Sequence, residues 1–483
     1  MLMVETGATA VESMTVTQSS SVHPEPGLHA FDIETLKEGY ETKRTTLPIT
    51  PDDRPSVSLW AILKNSIGKD LTKISLPVTF NEPISMLQRM AEDMQFSECL
   101  DTAAEQPDSL IRLAYVAGFA LSNYSSTVGR LAKPFNPLLG ETFEYVDPDK
   151  QFRYLSEQVS HHPPTSACYA ESPRWSYFGE TDAKNRFTGN SFEINPTGVA
   201  HAILNIPKTF EDTQDYPPFK INPNRVEEHY SWKKVTTVIS NFLLGSPTID
   251  HYGDMEITNH RTQEKCVLTF KPRGWRGKDA NEVKGSVYNK NGEIVWELAG
   301  KWTTQLIGRR AGSASGDLGP DELVTASRGE NYLELWKNTP QPPNRPFNLT
   351  TFAMTLNAIN PRLKVWLPPT DCRLRPDQRA FEKGQWENAH ELKISLEELQ
   401  RSTKRKREQG ELPPHRPRWF IQIDDPDSEE RTWDAIRSSD KGVSILYWEE
   451  RKRVGTSRKE QPEVEWTNVS HIFGEFESVE TDS

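Results

Sequence analysis

Glu157-Gln158-Val159-Ser160-His161-His162-Pro163-Pro164 sets two adjacent imidazoles in front of two prolines. A proline fixes its own φ and biases the residue before it towards extended backbone. Phe152 to Val159 is therefore read as a strand that ends at the histidine pair, with His162 held extended. Two imidazoles fixed at a strand's mouth form a rigid, protonatable edge suited to an anion. Adjacent residues of a strand point to opposite faces, so the pair is a poor joint metal site unless the backbone turns there.

Some twenty residues upstream, Lys133-Pro134-Phe135-Asn136-Pro137-Leu138-Leu139-Gly140-Glu141-Thr142-Phe143 forms a loop stiffened by two prolines and a glycine. It presents a cation, Lys133, and an amide, Asn136, while Phe135, Leu138 and Leu139 anchor it. Taken alone it is a proline-rich turn with a surface lysine. Before it, Asp108 to about Leu131 is apolar enough for a substantially buried helix. Asn81-Glu82-Pro83 is read as opening a helix with proline in its first turn, and Ile84, Leu87, Ala91 and Met94 as its stripe. Ser58 caps a short helix whose Trp60, Leu63 and Ile67 share a face, with Gly68 as its stop.

From Tyr154 to about Leu306 the texture is short strands. Asp254-Met-Glu-Ile-Thr and Cys266-Val-Leu-Thr-Phe-Lys flank one loop, and Ser286-Val-Tyr and Glu293-Ile-Val-Trp-Glu-Leu flank Asn291-Gly292, a strong hairpin signal. Consecutive hairpins mean antiparallel pairing. A large antiparallel sheet hides its edges by curling into a barrel, and a wide barrel holds an apolar ligand. Trp232, Trp275, Trp296, Trp302 and Trp336 supply bulk, and most of them are read as filling the core. Thr209 to Glu228 and Gly308 to about Pro320 are read as surface loops.

A helix is expected from about Lys383 to Gln409, with Trp386, Ala389, Leu396 and Leu399 as its apolar face. On it Lys393, Glu397 and Arg401 are spaced by four and stack on one side. On helix geometry alone this is a surface charge ladder. The following Lys404-Arg405-Lys406-Arg407 reads as a solvated helix end, or as contact with an acidic bilayer or a nuclear signal.

The 57 basic and 69 acidic residues leave a net charge of −12, which argues against general attraction to nucleic acid or anionic membrane and leaves such work to local basic patches. Four scattered cysteines without CxxC spacing argue against a disulfide framework and a structural zinc site, and fit a reducing cytosol. No window reaches the length of a membrane span, and no signal peptide begins the chain. GxSxG in a strand-to-helix context and HExxH, the marks of two hydrolase classes, are absent, so no enzyme, metal or cofactor is expected.

The histidine motif, the Lys133 loop and the Lys393-Ile-Ser-Leu396-Glu397-Glu-Leu-Gln-Arg401 helix occur in the order found in the oxysterol-binding-protein-related lipid-transfer proteins, which this chain resembles from roughly Ser56 to Phe473. Trp419-Phe420, Tyr447-Trp448-Glu449 and Trp466 resemble that family's closing segments. The resemblance implies a mainly β fold with flanking helices (α+β): a large incomplete antiparallel β-barrel around an apolar lipid tunnel, with an N-terminal lid and a C-terminal helical region. It divides the chain into a disordered tail (1–28), a lid (29–57), a lipid-binding domain (58–473) and an acidic tail (474–483). The 55 residues before the matched region cannot encode the pleckstrin-homology domain that longer members carry.

The implied ligand is phosphatidylinositol 4-phosphate, with sterol as the counter-lipid and phosphatidylserine as the alternative. His161, His162 and Arg401 would hold the 4-phosphate; Lys133, Asn136, Lys393 and Glu397 would hold the rest of the headgroup. The implied setting is the cytosol, peripherally at anionic intracellular membranes including endoplasmic-reticulum contact sites. A sensor or scaffold that binds the same headgroup without moving lipid is the competing reading. The chemistry is sound on its own terms, since a phosphate monoester gains roughly 1.5–3 kcal/mol from each charge-assisted donor. Exposing an acyl chain of about 16 carbons to water costs roughly 13 kcal/mol, which calls for a lidded apolar tunnel.

Overall fold

The computed structural model describes residues 33–50, 53, 77–187, 191–210, 213–241, 247–438, 444–474 and 481–482. The Ser58 helix and the N-terminal tail lie outside these residues, as do most of the acidic tail and part of the lid.

Nineteen strands are found among the described residues. In chain order they are β1 (Asn81–Ser85), β2 (Lys133–Phe135), β3 (Thr142–Asp147), β4 (Phe152–His161), β5 (Pro164–Glu171), β6 (Trp175–Thr181), β7 (Ala183–Phe187), β8 (Ser191–Pro196), β9 (Val199–Pro207) and β10 (Arg225–Lys233). There follow β11 (Thr236–Ser240), β12 (Thr248–Asn259), β13 (Lys265–Phe270), β14 (Glu282–Tyr288), β15 (Ile294–Lys301), β16 (Gln305–Arg310), β17 (Tyr332–Lys337), β18 (Phe420–Asp424) and β19 (Arg431–Ala435). One sheet runs β17-β16-β15-β14-β13-β12-β10-β9-β6-β5-β4-β3, and β11, β8 and β7 branch from β12 as an arm.

The helix Ser109–Ser122 shows how strongly this sheet curls. It packs on β12, β13, β14, β16 and β17, and its Phe119 meets Tyr177 of β6 at 5.4 Å and Trp232 of β10 at 6.3 Å. Flat, β6 and β17 would lie roughly 38 Å apart at about 4.8 Å per strand, far beyond the reach of one helix about 10 Å across. The sheet wraps the helix instead. Among the described residues β3 and β17 do not pair, so the antiparallel barrel is incomplete, as expected.

Antiparallel register also fixes what shares a rim. The β4–β5 turn, the start of β3, the β13–β14 loop and the β15–β16 turn all fall at one end of the sheet.

Several expectations need correction. Asn81-Glu82-Pro83 is strand, not helix: β1 pairs in parallel with β2, and the helix begins at Met86. Ser85 is its cap, in a box where Gln88 N–H donates to Ser85 Oγ and Ser85 N–H to Gln88 Oε1. That reciprocal pair satisfies two orphan donors, which a proline at the apparent first turn does not. The Asp108 helix ends at Ser122 rather than near Leu131. Four of the five tryptophans are core, in keeping with the reading that most of them are, and the fifth, Trp275, is 86 % exposed in the β13–β14 loop. Leu399 is exposed, while Ala389 and Leu396 carry the buried face of the helix Trp386–Glu408. The two inserted loops are shorter than expected, since β10 starts at Arg225 and β16 runs to Arg310.

Residues 33–50 form an irregular strap. Tyr40 Oη donates to Glu144 Oε1, Lys43 pairs with Asp147 and Arg44 with Glu382, so the strap crosses β3 and the helix Pro376–Glu382. The four cysteines are buried and unpaired, and among the described helices none is long and apolar enough to cross a membrane.

His251 on β12 carries a pH signature. It is wedged between the hydroxyls of Thr127 (2.9 Å) and Thr237 (3.0 Å), and desolvation, with some help from the Arg89 charge, lowers its pKa to about 3. Its contribution to stability is complete above the ordinary imidazole value and is lost as pH falls through the window from about 6.5 to 3. The stability margin of the wild type over His251→Gln should therefore narrow by about 3 kcal/mol between about pH 7 and pH 4 in urea titrations. A constant margin would contradict this assignment.

Candidate functional site

β4 and β5 form a hairpin whose turn is His162-Pro163, joined by a cis peptide bond. His162 lies in that turn at the end of β4, and the two imidazoles do not diverge. Their centroids lie 4.8 Å apart at 71°. His162 is exposed, whereas His161 Nδ1 is buried without a hydrogen-bond partner. Desolvation, then the charges of His162 and Lys404, lower the His161 pKa to about 4. The ring is neutral near pH 7, and an arriving anion would supply both the partner and the charge that this site lacks.

The remaining residues of the motif hold it in place. Glu157 is buried, and its carboxylate accepts the N–H groups of Arg418 (2.8 Å) and Trp419 (2.9 Å), fastening the approach to β18 onto β4. Desolvation raises its pKa to about 7 against those bonds. Gln158 joins the two loops: its N–H donates to Glu141 O, and its carbonyl accepts from Gly140 N–H.

The Lys133 loop is gripped from below. Pairing of Asn81 with Lys133 and Ser85 with Phe135 sets its first residues. Phe135 packs on Phe381 at 5.6 Å, and Arg375 donates to the carbonyl of Asn136 (2.7 Å) and to Glu141 (3.1 Å). Leu138 is buried against Leu396 and Phe473, which docks the helix Trp386–Glu408 on the loop. Lys393 and Glu397, flanking Leu396, are thereby held beside it.

Lys393 Nζ and Glu397 Oε1 form a 2.5 Å ion pair with side chains 13 % and 29 % exposed. Partial desolvation, the Lys393 charge and, in opposition, Glu397 act on Lys133 and lower its pKa, which puts all three in one electrostatic group. Asn136 is exposed on the same loop. Arg401 stands apart: 56 % exposed, it pairs with Glu398 at 3.1 Å, so the expected ladder breaks after Glu397.

Three contributors were not anticipated. Lys404, taken for a solvated helix end, acts electrostatically on His161. The signal was present, because position 404 lies eleven residues, three turns, beyond Lys393 on the same face. His415 packs beside Gly140, with Nε2 buried and unpartnered and its pKa lowered to about 4 by desolvation and the Arg407 charge. Arg375 locks the loop through a carbonyl, a contact that no local pattern announces.

The sequence profile of the family described as Oxysterol-binding protein matches residues 58–452. Oxysterol-binding protein homolog 2 of Saccharomyces cerevisiae is 46 % identical over 411 residues, covering 82 % of this chain and 31 % of that protein. The chain spans about a third of the length of the two yeast relatives it matches. Its structure is similar to the Osh1 ORD domain crystallised with cholesterol (TM-score 0.74, 41 % identity, 88 % of this chain and 95 % of that one). It is also similar to the Osh3 ORD crystallised with PI(4)P from Saccharomyces cerevisiae (TM-score 0.69, 29 % identity, 89 % and 99 %).

Proposed function

Because the chain belongs to the oxysterol-binding protein family, we propose that it is a lipid carrier which extracts phosphatidylinositol 4-phosphate from a membrane and exchanges it for a second lipid, sterol in the first place. The observation that carries this reading is the histidine turn with its unpartnered, desolvated His161, on the rim where the Lys133 loop begins β3. His161 and His162, joined by Arg401 once it leaves Glu398, hold the 4-phosphate. Lys133, Asn136 and Lys393 take the remaining headgroup, and Glu397 accepts an inositol hydroxyl. Residues 58–473 act as one lipid-binding domain in this reading.

Membrane contact falls to the same rim. Trp275 projects from Lys271-Pro-Arg273-Gly-Trp275-Arg276-Gly-Lys278, a basic stretch in an otherwise acidic chain. An exposed indole among cations suits the interface of an anionic bilayer. The protein then works peripherally, as a cytosolic carrier at contact sites that include the endoplasmic reticulum.

Lys393→Ala should weaken phosphatidylinositol 4-phosphate binding by roughly 2–5 kcal/mol in titration, because it removes a desolvated cation from beside the headgroup. If Arg401→Ala costs less than about 0.5 kcal/mol, Arg401 belongs to the surface ladder instead of the phosphate site. The proposal as a whole is tested by transfer between two liposome populations. Phosphatidylinositol 4-phosphate should move at catalytic protein concentrations, and sterol in the acceptor should accelerate it, since one tunnel under one headgroup site holds one lipid at a time. Transfer indifferent to any counter-lipid would remove the exchange step.

A further inference from the structure

On the outer side of β9 and β10, away from the histidine turn, a second group of imidazoles is buried. His201 on β9 is opposite Ser231 on β10, so His229, two residues before Ser231, is its diagonal neighbour on the same face. The β18–β19 hairpin lies over this region, with β19 packed on β5 and β6, and its turn brings Asp425 and Asp427 to the two rings. His201, His229 and Asp425 are all buried.

The ligand geometry is that of a metal site. His201 Nδ1 and His229 Nε2 are 3.1 Å apart, and a carboxylate oxygen of Asp425 lies within 4.8 Å of one nitrogen of each ring. Two imidazole nitrogens bound at about 2.05 Å to a tetrahedral zinc ion stand about 3.3 Å apart. The outer shell is also in place. His229 Nδ1 meets Asp427 Oδ2 at 2.8 Å, and Arg261 forks onto both oxygens of Asp427 at 2.9 Å. A carboxylate on the far nitrogen fixes the tautomer of a ligating histidine and leaves its other nitrogen as a lone pair. For His229 that lone pair is Nε2, turned towards His201. His201 itself stacks on Phe178 at 4.8 Å and 6°, and its Nε2 is buried without a partner. In the metal-free site His201 Nδ1–H donates to the His229 lone pair; binding would move this proton to Nε2 of His201 and replace the one hydrogen bond by two metal–nitrogen bonds. Asp425 is pre-aimed, because Ser428 N–H and Oγ both donate to its Oδ2.

We propose that His201, His229 and Asp425 bind one zinc ion, with Asp427 as the supporting carboxylate and water as the fourth ligand, and that the ion pins the β18–β19 hairpin to the barrel wall. Two neutral imidazoles and one carboxylate are a donor set suited to zinc rather than to magnesium or calcium. Because the approach to β18 grips Glu157, the ion would also steady the strand that carries the histidine turn.

The test is independent of lipid. The purified 483-residue chain is equilibrated with zinc, passed into metal-free buffer and assayed for metal, and the cobalt-substituted protein is examined for the visible absorption of a tetrahedral site. About one equivalent of zinc per chain is expected, with a thermal midpoint that rises on loading. His201→Ala, His229→Gln and Asp425→Asn, checked by circular dichroism, should each lose the ion and the cobalt bands, whereas His260→Ala should keep them. A wild type that retains less than about a tenth of an equivalent overturns the proposal even if no variant folds. So does zinc retained undiminished by folded His201→Ala or Asp425→Asn. Either result would leave the imidazoles as a neutral hydrogen-bonded chain beneath the hairpin.

Discussion

Replacing both His161 and His162 by alanine should leave a folded protein that no longer binds phosphatidylinositol 4-phosphate. The two rings share one exposed turn, and neither supports the core: His162 is open to solvent, and His161 offers a buried Nδ1 with no protein partner. Truncation therefore removes two donors to the phosphate without breaking a hydrogen bond of the fold at that atom. At roughly 1.5–3 kcal/mol for each charge-assisted bond, the loss amounts to about 3–6 kcal/mol, or roughly 100- to 10,000-fold in affinity. Circular dichroism should match the wild type. The affinity should also rise as pH falls modestly below neutrality, because a bound dianion favours the protonated His161 that desolvation disfavours in the free protein. Binding within a few-fold of wild type would take the turn out of the site.

The largest loss of stability should come from Glu144 on β3. This fully buried carboxylate accepts from Tyr447 Oη at 2.7 Å, from Arg451 Nε at 2.8 Å to both oxygens, and from Tyr40 Oη at 3.1 Å. It ties the strap and the helix Leu446–Ser457 to the barrel edge at one point. Glu144→Ala strands the Arg451 guanidinium, itself fully buried over Trp366 at 4.9 Å, without its carboxylate. Removing one partner of a buried pair costs about 3–5 kcal/mol, whereas replacing both by apolar groups is often neutral. Urea unfolding should show that loss for the single variant, and a substantial recovery in Glu144→Leu with Arg451→Met. A single variant within about 1 kcal/mol of wild type would contradict this view of the closure.

The parts of this protein that were legible in its sequence are those written in neighbouring residues. The hairpin at Asn291-Gly292 exists, though its loop is longer than two residues, with Tyr288 facing Ile294 and Gly292 at φ +82. Leu396 faces the core as its spacing predicts. The order of the histidine, Lys133 and Lys393 motifs identified the family. Misreadings arose where two local signals competed. Pro83 imitates a helix start, yet the Ser85–Gln88 box that opens two residues later is the real one. Trp275 has the bulk of a core residue, but Gly274 and Gly277 around it, with Gly277 at φ +79, make a loop that no sheet buries. Contacts between distant segments left no trace in sequence. Glu144 meets Arg451 across 307 residues, and His229 meets Asp427 across 198, each through a register that only the folded sheet defines.

The most direct measurement of the central claim is extraction. Liposomes carrying phosphatidylinositol 4-phosphate are incubated with the protein and sedimented, and lipid is assayed in the soluble fraction. A carrier with the single proposed headgroup site should remove up to about one molecule of the lipid per protein, and the His161→Ala, His162→Ala protein should remove none. Clear binding of the wild type to the sedimented liposomes, with no lipid in the soluble fraction, would contradict the carrier account and make this chain a sensor of the same headgroup.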